Sequence, residues 1–181
     1  MVYSEVFDII QAANTPWFWK YSGNGLNDPN ITGGGHQPMG FDQFNSLYIN
    51  YVVTGVKLIL EGVNTAAGGH QVSVQAGTNG LAFVTAPDAI NEYRQAYSIM
   101  TSNQRPWKFK KYFSNPAILG IKRSTFLENS DYWGQSTGTT NPSYGTQLYL
   151  QIANLDISEQ IITSLSVTLV YYVTYFNNQI S

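Results

Sequence analysis

The stretch Ser166–Phe176, SVTLVYYVTYF, decides the fold. Val167, Leu169, Tyr171, Val173 and Tyr175 fall on one side of it, and Ser166, Thr168 and Thr174 on the other. A period of two in β-branched and aromatic residues is a strand pattern, not a helical one. Val170, Tyr172 and Phe176 interrupt the polar side, so that side is also expected to meet a sheet or a neighbouring subunit. Working outward, Tyr51–Val63 reads as a second strong strand, with Val52, Thr54, Val56, Leu58 and Leu60 on one face and Lys57 and Glu61 opposite. Thr146–Asn154 is a third, with Leu148, Leu150 and Ile152 in register. Shorter strand candidates are Glu5–Gln11, Pro16–Tyr21, Gln71–Gln75, Leu81–Thr85, Trp107–Ser114 and Ile118–Arg123. Clusters of Gly, Asn, Pro and Asp separate them, as turns require.

Two short helices are expected between strands. Phe41, Phe44 and Tyr48 lie at i, i+3 and i+7 after Gly40, and Ile90, Tyr93 and Tyr97 do the same after Pro87 and Asp88. Many strands, few helices and polar loops define an all-β class: an antiparallel sandwich with short helical insertions, in one domain spanning residues 1–181. Loops Ser22–Gly40 and Ser124–Gly145 are long for a compact domain, and such loops usually carry function or touch partners.

Composition narrows the classes further. Only 11% of the 181 residues are charged, against 43% hydrophobic and 14% aromatic. Low charge with many aromatics argues against disorder. It suits a β-rich surface that packs against neighbours. With no Cys, disulfides, thiolate zinc sites and Cys nucleophiles are excluded. The start, MVYSEVFDII, has no basic region ahead of a long apolar run, so it does not read as a secretory signal. No apolar run reaches membrane-spanning length, so a soluble protein without membrane insertion is expected. The net charge of −2 is not that of a nucleic-acid-binding protein taken whole, yet seven of the nine basic residues lie between Arg94 and Arg123.

The segment Gly35–Gln43, GHQPMGFDQ, strongly resembles a motif in capsid proteins of circular, Rep-encoding single-stranded DNA viruses, the circovirus-like group. An aromatic short helix and the strand YINYVVTGVKLIL follow it at the expected place. Further matches are Lys110-Lys111-Tyr112-Phe113-Ser114 ahead of Leu119-Gly120, then Asn141-Pro142 before a strand, then the terminal TLVYYVTYF. In order, they cover residues 24–181. The resemblance implies a single jelly roll of eight antiparallel strands in two four-stranded sheets. It implies self-assembly of about 60 copies into a closed T=1 icosahedral shell around a circular single-stranded DNA genome. It implies a place in the virion, with assembly inside the host cell, in the nucleus for such viruses, and a host-surface glycan or receptor as a partner. It also implies a basic, Arg-rich N-terminal arm lining the shell. Residues 1–13 carry no Lys or Arg and two acids, Glu5 and Asp8, so these residues do not supply that arm.

Candidate sites follow. In Arg105–Phe113, RPWKFKKYF, Lys108 and Lys110 point one way and Trp107 and Phe109 the other. Arg105, Lys108, Lys110 and Lys111, extended by Lys122 and Arg123, are the candidate nucleic-acid contacts, through phosphates and base stacking. The alternative is a solvated basic edge that discourages mispairing. Candidate subunit-interface residues are Trp133, Tyr132 and Tyr144 in the late loop, and His36, Met39 and Phe41 in GHQPMGFDQ. That motif could equally be a turn needed only for folding, with Asp42 and Gln43 capping backbone groups. Trp17 and Trp19 share a face and read as core.

His36 and His70, isolated in loops, offer no metal-ligand spacing. Asn24, Asn27, Asp28 and Asn30 are oxygen-rich but hold one carboxylate, which favours Asx turns over a calcium site. No cofactor is implied. Asn30-Ile31-Thr32 is a glycosylation sequon whose use would require secretion. No nucleophile elbow, metalloprotease helix or P-loop motif is present, so an enzyme is disfavoured. The competing class is a carbohydrate-binding β-sandwich, since low charge with abundant Tyr and Trp also suits sugar stacking. Particle size separates the two.

Overall fold

The computed structural model describes residues 1–80, 82–135, 140–156 and 158–179. Among them the alternating stretches form nine strands: β1 Val2–Gln11, β2 Trp17–Ser22, β3 Tyr48–Asn64, β4 His70–Thr78, β5 Ala96–Thr101, β6 Pro106–Ser114, β7 Trp133–Gln135, β8 Thr146–Asn154 and β9 Ile161–Asn178. Three short helices join them: α1 Phe41–Asn45, α2 Asn115–Leu119 and α3 Arg123–Glu128. One sheet runs β1-β9-β3-β6, with β7 on the β3 edge beyond β6, and the other runs β2-β8-β4-β5. Neighbouring strands are antiparallel throughout. Consecutive strands cross repeatedly from one sheet to the other. This is the expected eight-stranded jelly roll, with the three-residue β7 added.

The core lies between the inner faces. Val167, Leu169 and Tyr171 of β9 meet Leu58 and Leu60 of β3 and Val72, Val74, Leu148, Leu150 and Ile152 of the facing sheet, all buried. Trp17 and Trp19 stack 5.4 Å apart, edge-on to Phe7, and pack against this core.

Four expectations change. A bulge between Val53 and Gly55 slips the β3 register by one. Tyr51 and Val53 therefore join Val56, Leu58 and Leu60 inside, while Val52 and Thr54 do not share that face. Ile118–Arg123 is not a strand: Asn115-Pro116 opens α2, Gly120 closes it at φ 71°, and α3 follows. Ile90, Tyr93 and Tyr97 do not share a helix. A single 3₁₀ turn covers Ala89–Glu92, and Tyr97 lies in β5, a strand the sequence reading missed. Residues 82–85 are not a strand, and Leu81 lies outside the described residues.

That last segment has a different role. Residues 82–87 cross the outer face of the second sheet as a strap. Gln75 of β4 clasps Val84 twice, donating to its carbonyl at 2.6 Å and accepting from its N–H at 2.9 Å. Gln151 donates to the Thr85 carbonyl and Gln71 to that of Pro87. Phe83 stacks on Tyr149 at 4.5 Å. The alternating Gln71, Ser73 and Gln75 are thus buried, with Gln71 and Gln75 satisfied by main-chain groups of the strap, as buried amides must be.

Candidate inter-subunit surfaces and basic edge

GHQPMGFDQ sits where the Ser22–Gly40 loop returns to β1. His36 stacks on Tyr3 with ring centroids 4.5 Å apart. Gln37 donates to Asn27 Oδ1 at 3.0 Å, and the Met39 N–H donates to the Val2 carbonyl at 3.3 Å. Gly40, at φ 87°, makes the left-handed turn into α1. No side chain caps α1: Asp42 and Gln43 instead offer main-chain carbonyls to Ser46, which corrects the expected capping role. Phe41 is 1% exposed and edge-on to Tyr51, so it belongs to the core and presents no surface to a neighbour. Met39, in contrast, is 90% exposed.

Beneath this loop, the Glu5 carboxylate accepts hydrogen bonds from the Tyr3 and Tyr21 hydroxyls and from Asn30 Nδ2. Burial first, then this carboxylate, raises both tyrosine pKa values. Asn30 Oδ1 accepts from the N–H groups of Thr32 and Gly33, forming the expected Asx turn. Asn24 spans Tyr144 and Thr146, which ties the early loop to the late one. Burial also pushes Tyr51 up to about 12, partly opposed by the Leu26 N–H on its hydroxyl. These side chains are spent on holding loops. Among the described residues, no three of His, Asp and Glu converge as metal ligands.

The late loop carries an aromatic column. Phe126 stacks on Tyr132 at 5.0 Å, and Tyr132 tilts against Tyr144 at 5.6 Å. Trp133 is partly buried, donates from Nε1 to the Leu127 carbonyl at 3.1 Å, and packs edge-on to Phe176. Of the three late-loop candidates, Tyr144 is the one turned to solvent, at 56% exposure. Its N–H bonds to the Asp131 carbonyl and its carbonyl to Asn24, so the backbone beneath this exposed ring is fixed. Residues 136–139 of this loop lie outside the described residues.

The basic residues divide into three places. Arg105 lies in the β5–β6 turn, Lys108, Lys110 and Lys111 on the edge strand β6, and Lys122 and Arg123 beyond α2. Nine strand residues at about 3.3 Å each separate the first place from the third by roughly 30 Å, so Arg105 stands at the opposite end of β6 from Lys122 and Arg123. Along β6 the expected alternation holds: Lys108 and Lys110 are exposed, while Trp107 and Phe109 pack on the core. Trp107 lies flat over Gly62, where an added Cβ would stand 2.7 Å from its ring. Lys108 pairs with Glu61. Lys111 turns toward β5 and holds its ammonium 3.6 Å from the Tyr97 ring centroid.

Strand register organises the solvent face of this sheet into rows. They read Val6–Ser166–Glu61–Lys108, Ser4–Thr168–Ile59–Lys110 and Val2–Val170–Lys57–Tyr112 across β1, β9, β3 and β6. In these three rows the β1–β9 half is Ser, Thr and Val and the β3–β6 half carries the charge, while Asp8 stands one row beyond Val6 on β1. Lys57, missed as a site residue, thus sits one row from Lys110. Half-exposed Tyr112 and Tyr172 meet edge-to-face beside it at 5.3 Å.

No protein-family model matches this chain, and no curated protein sequence matches it. Solved structures do. The chain aligns over its whole length with a chain of sacbrood virus of honeybee in expansion state II, covering 84% of that chain at TM-score 0.50 and 10% identity. It aligns equally with a chain of the semi-empty virus-like particle of the nodavirus of the giant freshwater prawn Macrobrachium rosenbergii, covering 95% of that chain at TM-score 0.50 and 12% identity. At such identities the likeness establishes the fold: this chain has the jelly roll of viral capsid domains.

Proposed function

We propose that this chain, as one domain over residues 1–181, is a viral coat subunit that assembles with its own copies into a small closed shell. The observation that carries the reading is where the sequence is spent. The described chain builds a jelly roll and leaves large apolar side chains, Val6, Ile10, Met39 and Tyr144 among them, exposed on a well-ordered frame. Isolated exposed apolar residues are ordinary, but anchored ones at edges and loop tips suit contacts between copies. The fold likeness to chains from virus particles supports the same reading.

The finer assignment rests on the GHQPMGFDQ, KKYFS and TLVYYVTYF motifs: a T=1 shell of about 60 copies enclosing a circular single-stranded DNA genome, assembled inside the host cell. On that reading the genome meets the charged half of the solvent face. Lys57 and Lys110 neutralise phosphates while Tyr112 and Tyr172 offer stacking surfaces, the combination that single-stranded nucleic acid requires.

The test is expression of the chain, followed by negative-stain microscopy and light scattering over a range of salt and pH. Uniform closed particles of about 60 copies are expected. Nucleic acid extracted from particles made in infected cells should be degraded by a single-strand-specific DNase and resist RNase. RNA inside those particles overturns the genome assignment and leaves the coat role standing. A chain that stays monomeric throughout and binds glycans overturns the coat role in favour of a carbohydrate-binding sandwich.

A further inference from the structure

The outer edge of β1 is built to pair with itself. Met1 and Tyr171 exchange both main-chain hydrogen bonds, at 2.8 Å each. Antiparallel ladders alternate, so the odd residues of β1 face β9, and the N–H and carbonyl groups of Ser4, Val6, Asp8 and Ile10 face outward. The Met39 N–H on the Val2 carbonyl reaches the strand from that same side. Among the described residues no other strand pairs there. Val6 and Ile10 are each 75% exposed. Two other edges are protected: β6 carries three lysines, and residues 29–32 bond along β2.

The side-chain pattern selects both partner and register. From Val2 to Ile10 the outward sequence reads Val, Ser, Val, Asp, Ile at every second residue. An antiparallel second copy centred on Val6 puts Val6 against Val6, Ser4 against Asp8 and Val2 against Ile10. Apolar meets apolar, hydroxyl meets carboxylate, and every outward N–H in Ser4–Asp8 faces an outward carbonyl. Centring on Phe7 instead opposes Val6 to Asp8 and Ser4 to Ile10. Centring on Asp8 brings two carboxylates together, and centring on Ser4 sets Val6 against Val2, whose carbonyl Met39 already takes. In the Val6 register the ladder runs over Ser4–Asp8 and stops short of Val2, whose carbonyl Met39 already takes, and Ile10 of the second copy arrives at an apolar cleft of about 470 Å³ lined by Val2, Ser4, His36, Gln37 and Met39.

We propose that two copies join through β1 in an antiparallel two-fold contact centred on Val6, fusing their β1-β9-β3-β6 sheets into one. The contact deepens the coat reading, since it supplies a two-fold junction for a shell, and its test is scored separately from shell formation.

These 181 residues contain no Cys, so Val6→Cys introduces a single thiol. Hydrogen-bonded antiparallel partners stand about 5.5 Å apart at Cα, within disulfide reach. Ile10→Cys is the control, because its two copies would lie roughly 27 Å apart in this register. Under mild oxidation, Val6→Cys is expected to form a disulfide-linked dimer at least tenfold faster than Ile10→Cys. Equal rates, or no dimer from Val6→Cys, overturn the contact. Val6→Pro supplies a second test: it removes an N–H that faces outward and spares the β1–β9 ladder. Its melting temperature should hold while dimers vanish, and dimers that persist also overturn the proposal. Shells without the Val6 crosslink sink this contact alone, whereas the crosslink without shells sinks the coat reading alone.

Discussion

Replacing Asn115 with Ala should destabilise the fold more than any loop substitution of similar size. Asn115 is fully buried at the start of α2. Its Nδ2 donates to the Val53 carbonyl at 2.7 Å and the Gly23 carbonyl at 3.0 Å, and its Oδ1 accepts from Thr146 Oγ1 at 2.8 Å. Along the edge of β3, β6 pairs with Gly55–Val63 and β7 with Asn50–Val52. The Asn115 amide fills the gap between them, beside the bulge, and ties it to the second sheet through Thr146. Losing this amide strands two carbonyls away from water at about 2 kcal/mol each, or about 4 kcal/mol in all. For a domain of this size that is a melting-temperature loss of roughly 8–16 °C. The assay is calorimetry on unassembled protein, since assembly would mask the loss. Asn115→Leu keeps the volume without the bonds and should be comparably unstable. A loss under about 3 °C for Ala, or near-parental stability for Leu, would refute the hydrogen-bond account.

Three further outcomes are expected. Tyr144→Ala should reduce particle yield with little change in melting temperature, whereas Trp133→Ala should lower both, because Trp133 is bound to Leu127 and Phe176 of its own chain. Yield and calorimetry together check the pair. His70 is buried with Nδ1 against Thr163 Oγ1, and burial lowers its pKa, partly opposed by a hydrogen bond to the Gln160 backbone. The unfolded chain binds the extra proton first, so this contribution is complete above about pH 6.5 and fades as pH falls through the lowered value. His70→Gln should therefore flatten the stability loss between about pH 7.5 and 5.5, and parallel melting curves for parent and variant would count against it. Lys57→Ala with Lys110→Ala should shrink the slope of log affinity for single-stranded DNA against log salt by about 1.4, read by fluorescence anisotropy; an unchanged slope removes both lysines from the interface.

The fold was legible wherever side-chain period and burial agreed. Thr146–Asn154 is found with the bounds the alternation gives, and the Val167-to-Tyr175 face lies against the core. Legibility failed where a local event broke the period or a distant segment covered it. The β3 bulge moves Val53 inward and Val52 out of register, and one extra residue in a strand leaves no signature in a uniformly apolar run. Gln71 and Gln75 alternate as a solvent face would, yet they are buried because residues 82–87 return over them. The α2 turn was readable, since Asn-Pro opens it and Gly120 ends it. The β-branched Ile118 and Ile121, which favour a strand, mask that signal.

The candidate surfaces were less legible than the fold because sequence gives residue type and spacing, while a surface depends on exposure and on which strands lie side by side. Trp133 and Tyr144 are both late-loop aromatics, but one side chain is tied into its own chain and the other is turned to solvent. Arg105 and Arg123 bracket one basic run in sequence and lie at opposite ends of β6 in space. Lys57 belongs to the central strand β3 and joins Lys110 only through the β3–β6 register. The same logic gives the β1 edge its weight. Val6 and Ile10 look like any outward apolar positions until the ladder shows that their main-chain groups also point outward. Side-chain and backbone complementarity then coincide on one strand, and they agree on one register.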